Sequence, residues 1–472
     1  MSSVAPPPAT THGDPAPRPA VPTARARADA AVRLGALGAL WSGALLVTYW
    51  WAAGGGLLDL GGWRSGLTSL GRLAGLVGSE LLLVQVLLMA RIPLLEGAFG
   101  QDRLARIHRW VGFCSFDLVL AHAVLITWGY AAGSLTAVPG TFWQVLTHDP
   151  TWLLAVLGTA CLVAVVVTST RAARRKLRYE SWHLVHLWAY LGVGLALPHQ
   201  LLTGQEFTSS PGRTVFWWGL WGAALLSVLV WRIGVPLVRN LRHDVRVSSV
   251  VPEAPGVVSV YMTGRDLHLL PVEAGQFMGF RFLAGRGWTR SNPFSLSAAP
   301  DGRSLRITVR EVGDGSARLR HLAPGTRVLV EGPHGRLTAR ARTRRKVALI
   351  GAGVGVTPLR ALAEGLDHTP GEVVLLQRYR DRPLFEWEFG VLAAERGLRV
   401  VDLPGRRRAP GSWLGEGAPP LDDVALLRRW LPDVAEHDVY VCGPRGWAAD
   451  VRRTALAAGV PPEQLHVEEF AW

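Results

Sequence analysis

Six apolar stretches in the first half of the sequence constrain the fold more than any other feature. They run over residues 32–53, 74–95, 107–130, 151–170, 182–202 and 214–235. Each is about 20 residues long, which is the length of a helix that crosses the hydrocarbon core of a bilayer. Because backbone groups in lipid must hydrogen-bond internally, such stretches fold as helices. The sequence therefore predicts a six-helix transmembrane bundle within residues 31–240.

Arginine and lysine are concentrated before the first stretch and in alternate connections. The residues concerned are Arg18, Arg25, Arg27, Arg33, Arg91, Arg103, Arg106, Arg109, Arg171, Arg174, Arg175, Lys176, Arg178, Arg239 and Arg242. By the positive-inside rule, both termini of this multi-pass cell-membrane protein are predicted to be cytoplasmic. The same distribution accounts for the net charge of +14, so nucleic acid is not an expected partner, whereas membrane lipid is. Residues 1–30, rich in Pro and Ala, are predicted to form a disordered cytoplasmic tail.

Two of the apolar stretches each carry two histidines. His108 and His122 are fourteen residues apart, and this separation is roughly 21 Å along a helix, so one histidine lies near each membrane face. His186 and His199 are thirteen residues apart and match the first two in depth. We predict that His108 pairs with His186 near the inner face and His122 with His199 near the outer face, each pair holding one haem iron. His183, one turn before His186, competes for the inner site, and four purely structural histidines are the alternative.

The pattern changes near Arg242, where short alternating segments replace the long apolar ones. VRVSSVV, QFMGFRF and SLRITVR predict a small antiparallel β-barrel over residues 241–342. Within it, RSNPFSLSAAP (290–300) places an aromatic ring and a hydroxyl at a strand end. The glycines of VGDGSARLRHL open a short helix whose amides suit a pyrophosphate. A turn with a helix N-cap explains this second segment almost as well.

A strand, a glycine loop and a helix follow in KVALIGAGVGVTPLRALAEGL, which predicts an α/β nucleotide-binding domain over residues 343–472. The loop glycines that allow close approach of the backbone to phosphate are Gly351, Gly353 and Gly355. The next strand ends in Arg378 and Arg380, where an NAD site would place an acidic residue. The two arginines favour NADPH, with NADH possible, and a solvated basic strand end is the alternative.

A later strand, DVYVCGPRGW, ends in Cys442, Gly443 and Pro444. We predict that these residues lie beneath the nicotinamide, with Cys442 as a catalytic candidate. A plain buried thiol is the alternative for Cys442. The other cysteines, Cys114 and Cys161, are distant from it and no CxxC spacing occurs, so a four-thiolate iron–sulfur cluster within the chain is excluded.

Taken together, the motifs resemble those of the ferric reductase and NADPH oxidase transmembrane flavocytochromes. The resemblance rests on the two pairs of histidines, on NPFSLS, GDGS, GPHG, GAGVGVTP and CGP, and on the final EEFAW. It implies a multi-domain fold in which a six-helix core binds two b-type haems and is followed by an FAD-binding barrel and an NADP-binding domain. Glu180, six residues before His186, matches relatives and favours His186 over His183.

The resemblance also implies roles for residues of the soluble part. Phe294 and Ser295 match the aromatic and hydroxyl positions of the flavin motif, whereas Asn292 stands where relatives commonly carry Arg or His. Phe470 matches the aromatic that covers the flavin ring and is a second catalytic candidate, with Trp472 as its rival. The remaining candidate cofactor contacts are Pro293, Arg310, Gly313, Gly315, Ser316, Thr357 and Pro358.

Electron counting then gives a function. Nicotinamide donates two electrons as a hydride and a haem accepts one, so FAD is expected between them. The predicted activity passes electrons from cytoplasmic NADPH to a small extracytoplasmic acceptor, either oxygen or chelated ferric iron. An electron-supply module for a separate redox partner protein and a reductase anchored by a structural bundle are the alternatives.

Overall fold

The computed structural model describes residues 24–177, 179–204, 210–285 and 287–470. Trp472 lies outside these ranges, and the side chains of Glu180 and Phe470 are also outside the description. The helices up to residue 243 are α1 (Ala24–Trp51), α2 (Trp63–Met89), α3 (Pro93–Phe99), α4 (Gln101–Tyr130), α5 (Val138–His148), α6 (Pro150–Ser169), α7 (Arg171–Lys176), α8 (Tyr179–Thr203), α9 (Pro211–Ser227) and α10 (Val235–His243). A π-helix, Val228–Gly234, joins the last two.

Within the described ranges, five helical segments are long and apolar enough to cross a membrane. They are Arg27–Gly56, Trp63–Met89, Arg103–Tyr130, Pro150–Ser169 and Pro211–His243. The predicted fifth crossing forms α8 and is not one of these five, because its histidines and Gln200 dilute its apolar residues. A sixth crossing, by α8, therefore stays a prediction.

The structure differs from the sequence prediction at two places in this bundle. Helix α1 begins at Ala24, so residues 24–30 of the predicted disordered tail are helical. The segment ARARADAA contains strong helix formers and no proline, which explains the earlier start. The unpredicted helix α5 occupies the connection between α4 and α6 and begins with Pro139 in its first turn.

Glycines allow the helices of the bundle to pack as two close pairs. On α2, a Cβ at Gly75 would lie 2.5 Å from His122 Nδ1, and one at Gly71 would lie 2.9 Å from Ile126, so α2 and α4 approach more closely than larger residues allow. Between α6 and α8, a Cβ at Gly158 would lie 2.6 Å from Gly192 O. Small residues at such positions are a common means of packing membrane helices. Each helix that carries two histidines is thus fixed to its own partner.

The strands after the bundle form two three-stranded antiparallel sheets. Their order is β1 (Arg246–Ala254), β2 (Val257–Thr263), β5 (Ser304–Arg310), and β4 (Asn292–Ser295), β3 (Phe277–Phe282), β6 (Val328–His334). The sheets enclose one apolar core that includes Phe280, Phe282 and Ile307. The prediction of a barrel is only partly met, because the two sheets do not share a continuous ladder in the described ranges. They are linked there by isolated bridges at Arg246–Arg327 and Leu296–Ile307.

The C-terminal region is a five-stranded parallel sheet in the order β11-β10-β7-β8-β9. Its elements are β7 (Lys346–Ala352), α12 (Val356–Gly365), β8 (Val373–Arg378), α13 (Glu386–Arg396), β9 (Arg399–Leu403), α14 (Asp423–Trp430), β10 (His437–Pro444), α15 (Arg445–Ala457) and β11 (Leu465–Phe470), preceded by the short α11 (Asp314–Ala317). The three inner strands, β7, β8 and β10, are almost completely buried, and separate apolar clusters cover the two faces. Burial on both faces is typical of a doubly wound α/β domain.

Buried arginines join the two soluble regions. Arg306 on β5 donates through Nη1 and Nη2 to the Glu388 carboxylate, each at 2.9 Å. Arg360 on α12 pairs with the same carboxylate at 2.6 Å. Arg306 also donates to Ser297 O at 2.6 Å. Because Ser297 lies two residues after β4, this network fixes the end of β4 relative to the parallel sheet.

Candidate functional site

The structure brings together the predicted histidine pair nearer the strands, which we call the proximal pair. His108 on α4 and His186 on α8 have ring centroids 6.2 Å apart at an interplanar angle of 68°. His108 donates from Nδ1 to Gln85 O at 3.3 Å. His186 Nδ1 lies 3.4 Å from Ser169 Oγ. His186 therefore contacts the ring of His108, and this contact supports His186 over His183 as the proximal ligand.

The distal pair has the same construction. The ring centroids of His122 and His199 are 6.3 Å apart at an angle of 60°. His122 donates from Nδ1 to Gly71 O at 2.9 Å. The Thr203 hydroxyl donates to His199 O at 2.6 Å and lies 3.0 Å from His199 Nδ1, so it accepts from that nitrogen. Helix α8 accommodates Pro198 and still directs His199 at His122.

These contacts fit a metal held between two axial imidazoles. All four Nδ1 atoms have partners within the protein, which leaves each Nε2 as the nitrogen for a metal. Two metal–nitrogen bonds of about 2 Å each, together with half of each ring, come to roughly 6 Å between centroids. In the described residues, no group of three or more His, Cys, Asp or Glu side chains is placed to hold a metal alone. Two imidazoles on either side of one position suit a haem, whose macrocycle would provide the other ligands.

The predicted flavin motif lies on β4. The Ser295 hydroxyl is buried and has no hydrogen-bond partner in the described part of the chain. A buried polar atom without a partner is costly, so it indicates a contact with a bound molecule. Asn292 donates from Nδ2 to Arg290 O at 3.3 Å. Phe294 stacks on Phe280 at 6.5 Å, so part of its ring belongs to the core between the sheets.

The GDGS segment lies against this motif. A Cβ at Gly315 would lie 3.3 Å from Arg290 Nη1 and 3.9 Å from Asn292 Oδ1. Ser316 accepts from the backbone N–H groups of Val312 and Gly313 at 2.9 and 3.2 Å. The hydroxyl of Ser316 is thus used within the turn. This agrees with the alternative interpretation of the segment as a turn with a helix N-cap. The candidates that flank these residues are Pro293 on β4, Gly313 at the helix N-cap and Arg310 at the exposed end of β5.

Sequence reasoning missed two arginines beside these residues. Burial lowers the pKa of the Arg318 guanidinium, and the neighbouring positive charge of Arg290 lowers it further. Two adjacent cations beside a glycine turn are suited to an anion such as a pyrophosphate. Arg290 stands at the start of RSNPFS and Arg318 stands two residues after GDGS. The position of each arginine next to a predicted cofactor motif could have indicated its role.

The glycine loop has the expected strand–loop–helix geometry. Strand β7 is followed by a 3₁₀ turn, Gly353–Gly355, and then by α12. A Cβ at Gly355 would lie 2.3 Å from Cys442 O, and one at Gly351 would lie 2.9 Å from Leu359. In the first turns of α12, Thr357 donates to Val354 O at 2.7 Å and is buried together with Pro358. The loop is therefore packed against the end of β10.

Replacing Gly355 by alanine is expected to disrupt this packing, because the new methyl group would overlap the backbone of Cys442. Gly353→Ala is the matched control, since its Cβ would meet no atom within 4 Å and only its φ of +56° disfavours a side chain. We expect a cost of about 1–2 kcal/mol for Gly353→Ala and a larger loss for Gly355→Ala. Chemical denaturation measures both, and equal losses would contradict the close approach.

Arg378, at the end of β8, lies among other arginines. Its Nε is buried without a hydrogen-bond partner in the described residues. Burial lowers the pKa of Arg378, and the charges of Arg407 and Arg380 lower it further. Gln377, the preceding residue, instead donates to Leu384 O at 2.9 Å and is structural. The strand end thus offers a cluster of positive charge with unused donor capacity.

The end of β10 lies next to the last strand. Cys442 is fully buried, and burial, followed by the charge of Glu468, raises the pKa of its thiol well above the ordinary value. A neutral thiol is consistent with a packing or positioning role. Gly443 is required by the close approach of Trp447, whose ring would lie 2.7 Å from a Cβ there, and Pro444 pairs with the backbone of Phe470.

Glu468 is a further residue that sequence reasoning missed. It is the direct neighbour of Cys442 in the parallel pairing of β10 with β11. Its Oε1 would lie 3.5 Å from a Cβ on Gly335, which belongs to the loop after β6. The side chain therefore lies between the two soluble regions, and only the EEF sequence near the C-terminus could have indicated it.

Residues 74–197 match the family model described as "Ferric reductase like transmembrane component". The match contains His108, His122 and His186, and His199 lies two residues beyond its end. The chain is also 31% identical over 225 residues to a flavohaemoprotein of Pseudomonas putida and 28% identical over 239 residues to ferredoxin–NADP reductase B of Sorangium cellulosum. The chain joins a ferric-reductase-like membrane component to a ferredoxin-reductase-like module. The predicted combination of a ferric-reductase-like membrane component with a ferredoxin-reductase-like FAD/NAD module is thereby confirmed.

The extent of these similarities differs between the relatives. The alignments cover 46% and 48% of this chain, 56% of the flavohaemoprotein and 97% of the reductase. Among solved structures, the flavohaemoprotein-like FAD/NAD-binding domain of nitric oxide dioxygenase from Vibrio cholerae matches 48% of this chain and 98% of its own length, at 25% identity and a TM-score of 0.39. The chain spans little more than half the length of the flavohaemoprotein, so the activity of the whole chain is a matter for proposal.

Proposed function

We propose that this protein is a membrane oxidoreductase that moves electrons from NADPH, through FAD and two b-type haems, to a small acceptor on the opposite side of the membrane. The observation that carries the proposal is the two histidine pairs on α4 and α8, whose ring centroids are 6.2 and 6.3 Å apart. Ionisable residues within membrane helices are functional candidates. Four imidazoles that face one another in pairs, each with its Nδ1 hydrogen-bonded, fit two axial-ligand sites better than they fit packing.

The protein's own residues give each cofactor a place. The histidine pairs would hold the haems, and Ser295, Arg290 and Arg318 would hold FAD through its ring and pyrophosphate. The glycine loop and Arg378 would hold NADPH. When bound, the flavin supplies the change from two-electron to one-electron chemistry. Burial and the charge of Glu468, which raise the pKa of Cys442, would keep this thiol neutral beneath the nicotinamide.

The acceptor is proposed by class only. It is a small molecule, oxygen or chelated ferric iron, that meets the distal pair at the face opposite the strands. His199 contacts Trp152 at 5.0 Å, and Trp152 contacts the half-exposed Tyr130 at 6.0 Å, so an aromatic path leads from the pair to the surface. With the arginine-rich connections on the cytoplasmic side, this face is extracytoplasmic.

A vesicle experiment tests the direction of electron flow. In sealed vesicles with the cytoplasmic face outward, NADPH added outside should reduce a ferric chelate trapped in the lumen. A second assay with the chelate only outside the vesicles detects direct electron transfer from flavin to iron, because that reaction would reduce the external chelate. Reduction of the external chelate alone would overturn the proposal.

The two alternative functions predict different properties of the purified protein. An anchored reductase needs no haem, so its purified form would lack the absorption of low-spin haem while its flavin is still reduced by NADPH. An electron-supply module needs a protein partner, and purified protein would then leave both oxygen and ferric chelates unreduced. The paired histidines favour the haem-containing enzyme over the first alternative.

A further inference from the structure

One segment of the FAD-binding region makes a series of polar contacts with the membrane bundle. We define the docking segment as residues 330–336, the end of β6 and the loop after it. At its start, Asn240 on α10 donates to Val330 O at 2.9 Å and accepts from Val330 N at 2.7 Å. At its end, Arg336 donates to Ala98 O at 3.4 Å and pairs with Asp29 at 3.1 Å. Both ends of the segment are thus tied to the bundle.

Between these ends, charged side chains form a network with three separate bundle elements. Glu331 pairs with Arg232 of the π-helix at 3.0 Å and with Arg91, after α2, at 3.5 Å. His334 donates from Nδ1 to Glu96 of α3 at 2.7 Å. Arg91 also pairs with Glu96 at 3.3 Å. Arg91 therefore bridges the two carboxylates, and the network closes across the interface.

The network is mostly withdrawn from water, which makes its geometry specific. The exposed fractions of the side chains are 6% for His334, 16% for Glu96 and 20% for Arg91. Burial raises the pKa of Glu96, but the hydrogen bond and charge of His334 and the charge of Arg91 outweigh it and lower the pKa below 4.5. Buried ion pairs contribute little net stability but penalise arrangements in which one partner is lost. They therefore select one relative position of the two regions.

The backbone of Arg91 supports this interpretation. Arg91 has a φ of 67°, in the left-handed region that a side chain disfavours by about 1–2 kcal/mol. Such strain persists where surrounding contacts impose it. Here the contacts are the two carboxylates, Glu96 and Glu331, on opposite sides of the interface.

The network also reaches the candidate flavin site. In the sheet β4-β3-β6, Phe277 is the direct partner of Ser295 on one side and of His334 on the other. Directly paired residues project from the same face of a sheet. The rings of Phe277 and His334 are 5.5 Å apart. One row of side chains thus runs from the unpartnered Ser295 hydroxyl, through Phe277 and His334, to Glu96 of the bundle.

We propose that the contact between His334 and Glu96 is a positioning contact that sets the distance from the flavin to the proximal histidine pair. This inference rests on the proposed function. Electron transfer through space slows steeply with distance, whereas hydride transfer from NADPH depends on the junction between the two soluble regions. Loss of the contact therefore slows flavin-to-haem transfer and leaves hydride transfer unchanged.

The test uses the full-length protein loaded with FAD and haem. Glu96→Gln removes the charge, and His334→Phe keeps the packing on Phe277 but removes the donor. In stopped-flow mixing with NADPH, haem reduction should slow by about 10- to 100-fold, while flavin reduction stays within about twofold. His334→Asn, which can present a donor near the position of Nδ1, should restore most of the haem rate.

A matched control and a cofactor-independent readout separate positioning from general damage. Glu273→Gln removes a comparable carboxylate, paired with Arg340 at 2.5 Å, and should change neither rate. Hydrogen exchange of the β6 amides in protein without cofactors should be faster in His334→Phe and normal in His334→Asn.

Haem reduction at the wild-type rate in both Glu96→Gln and His334→Phe would overturn the inference. Equal slowing in His334→Phe and His334→Asn would also overturn it. Failure of the wild type to reduce its haem, or to bind haem, would instead count against the proposed function.

Discussion

Protein with His122→Ala should retain one haem per chain where the wild type has two, since one pair of axial ligands is lost and the other is untouched. His199→Ala should give the same result, because a low-spin haem in this site requires both imidazoles. His108→Ala and His186→Ala should remove the other haem. The pyridine haemochrome assay counts haem per chain directly.

The electron path adds a second expectation for the same variants. Without the distal site, NADPH should still reduce the flavin and the proximal haem, but an acceptor in the vesicle lumen should stay oxidised. Without the proximal site, reduction should stop at the flavin.

His183→Ala is the matched control for haem content. The structure places His186 in ring contact with His108, so the His183→Ala variant should keep both haems. Loss of a haem in His183→Ala with retention in His186→Ala would reassign the proximal ligand. A wild-type haem content near zero would remove the basis of the whole electron path.

The second large effect concerns the choice of nicotinamide cofactor. Wild-type protein should prefer NADPH to NADH in flavin reduction, and replacing both Arg378 and Arg380 by alanine should abolish most of the preference. The buried Nε of Arg378, which has no partner in the described residues, is available to the 2′-phosphate. Hydrogen bonds to charged groups contribute about 1.5–3 kcal/mol each, which corresponds to at least about tenfold in kcat/KM.

Arg399→Ala provides the comparison for this prediction. Arg399 is an exposed arginine at the start of β9, and it donates to Trp430 O at 3.0 Å. It lies at the opposite end of the parallel sheet from Arg378, so its loss should leave the cofactor preference unchanged. Equal kcat/KM values for the two cofactors in the wild type, or the same effect from Arg399→Ala, would contradict the role of the arginine cluster.

The sequence predicted the histidine pairing because helix geometry is regular. A separation of fourteen residues on one helix and thirteen on another fixes depth without knowledge of the neighbours, and the pairs His108–His186 and His122–His199 are those that the structure brings together. The parallel sheet was predictable for a similar reason. Its strands are continuous apolar runs separated by glycine turns and helices.

Features that depend on contacts between distant segments were not predictable. Glu468 lies beside Cys442 only because β11 pairs with β10, and His334 meets Glu96 across 238 residues of sequence. Closure of a barrel is likewise a property of hydrogen bonding between strands, which alternation of side chains does not specify. Pro293, which lacks an N–H group, lies in the short strand β4, and the link from the end of β4 to the other sheet is the isolated bridge Leu296–Ile307.

The glycine contacts within the bundle have a consequence for biogenesis. The helices that carry His122 and His199 are each locked to a neighbour, α2 or α6, by glycines that lie outside the space between the histidine rings. The contacts of α4 with α2 and of α8 with α6 are thus made by the protein alone. If the proposed haems bind between α4 and α8, we expect the two helix pairs to form during membrane insertion and haem to bind afterwards. Supply of haem would then limit how much of the protein is active, not how much of it accumulates.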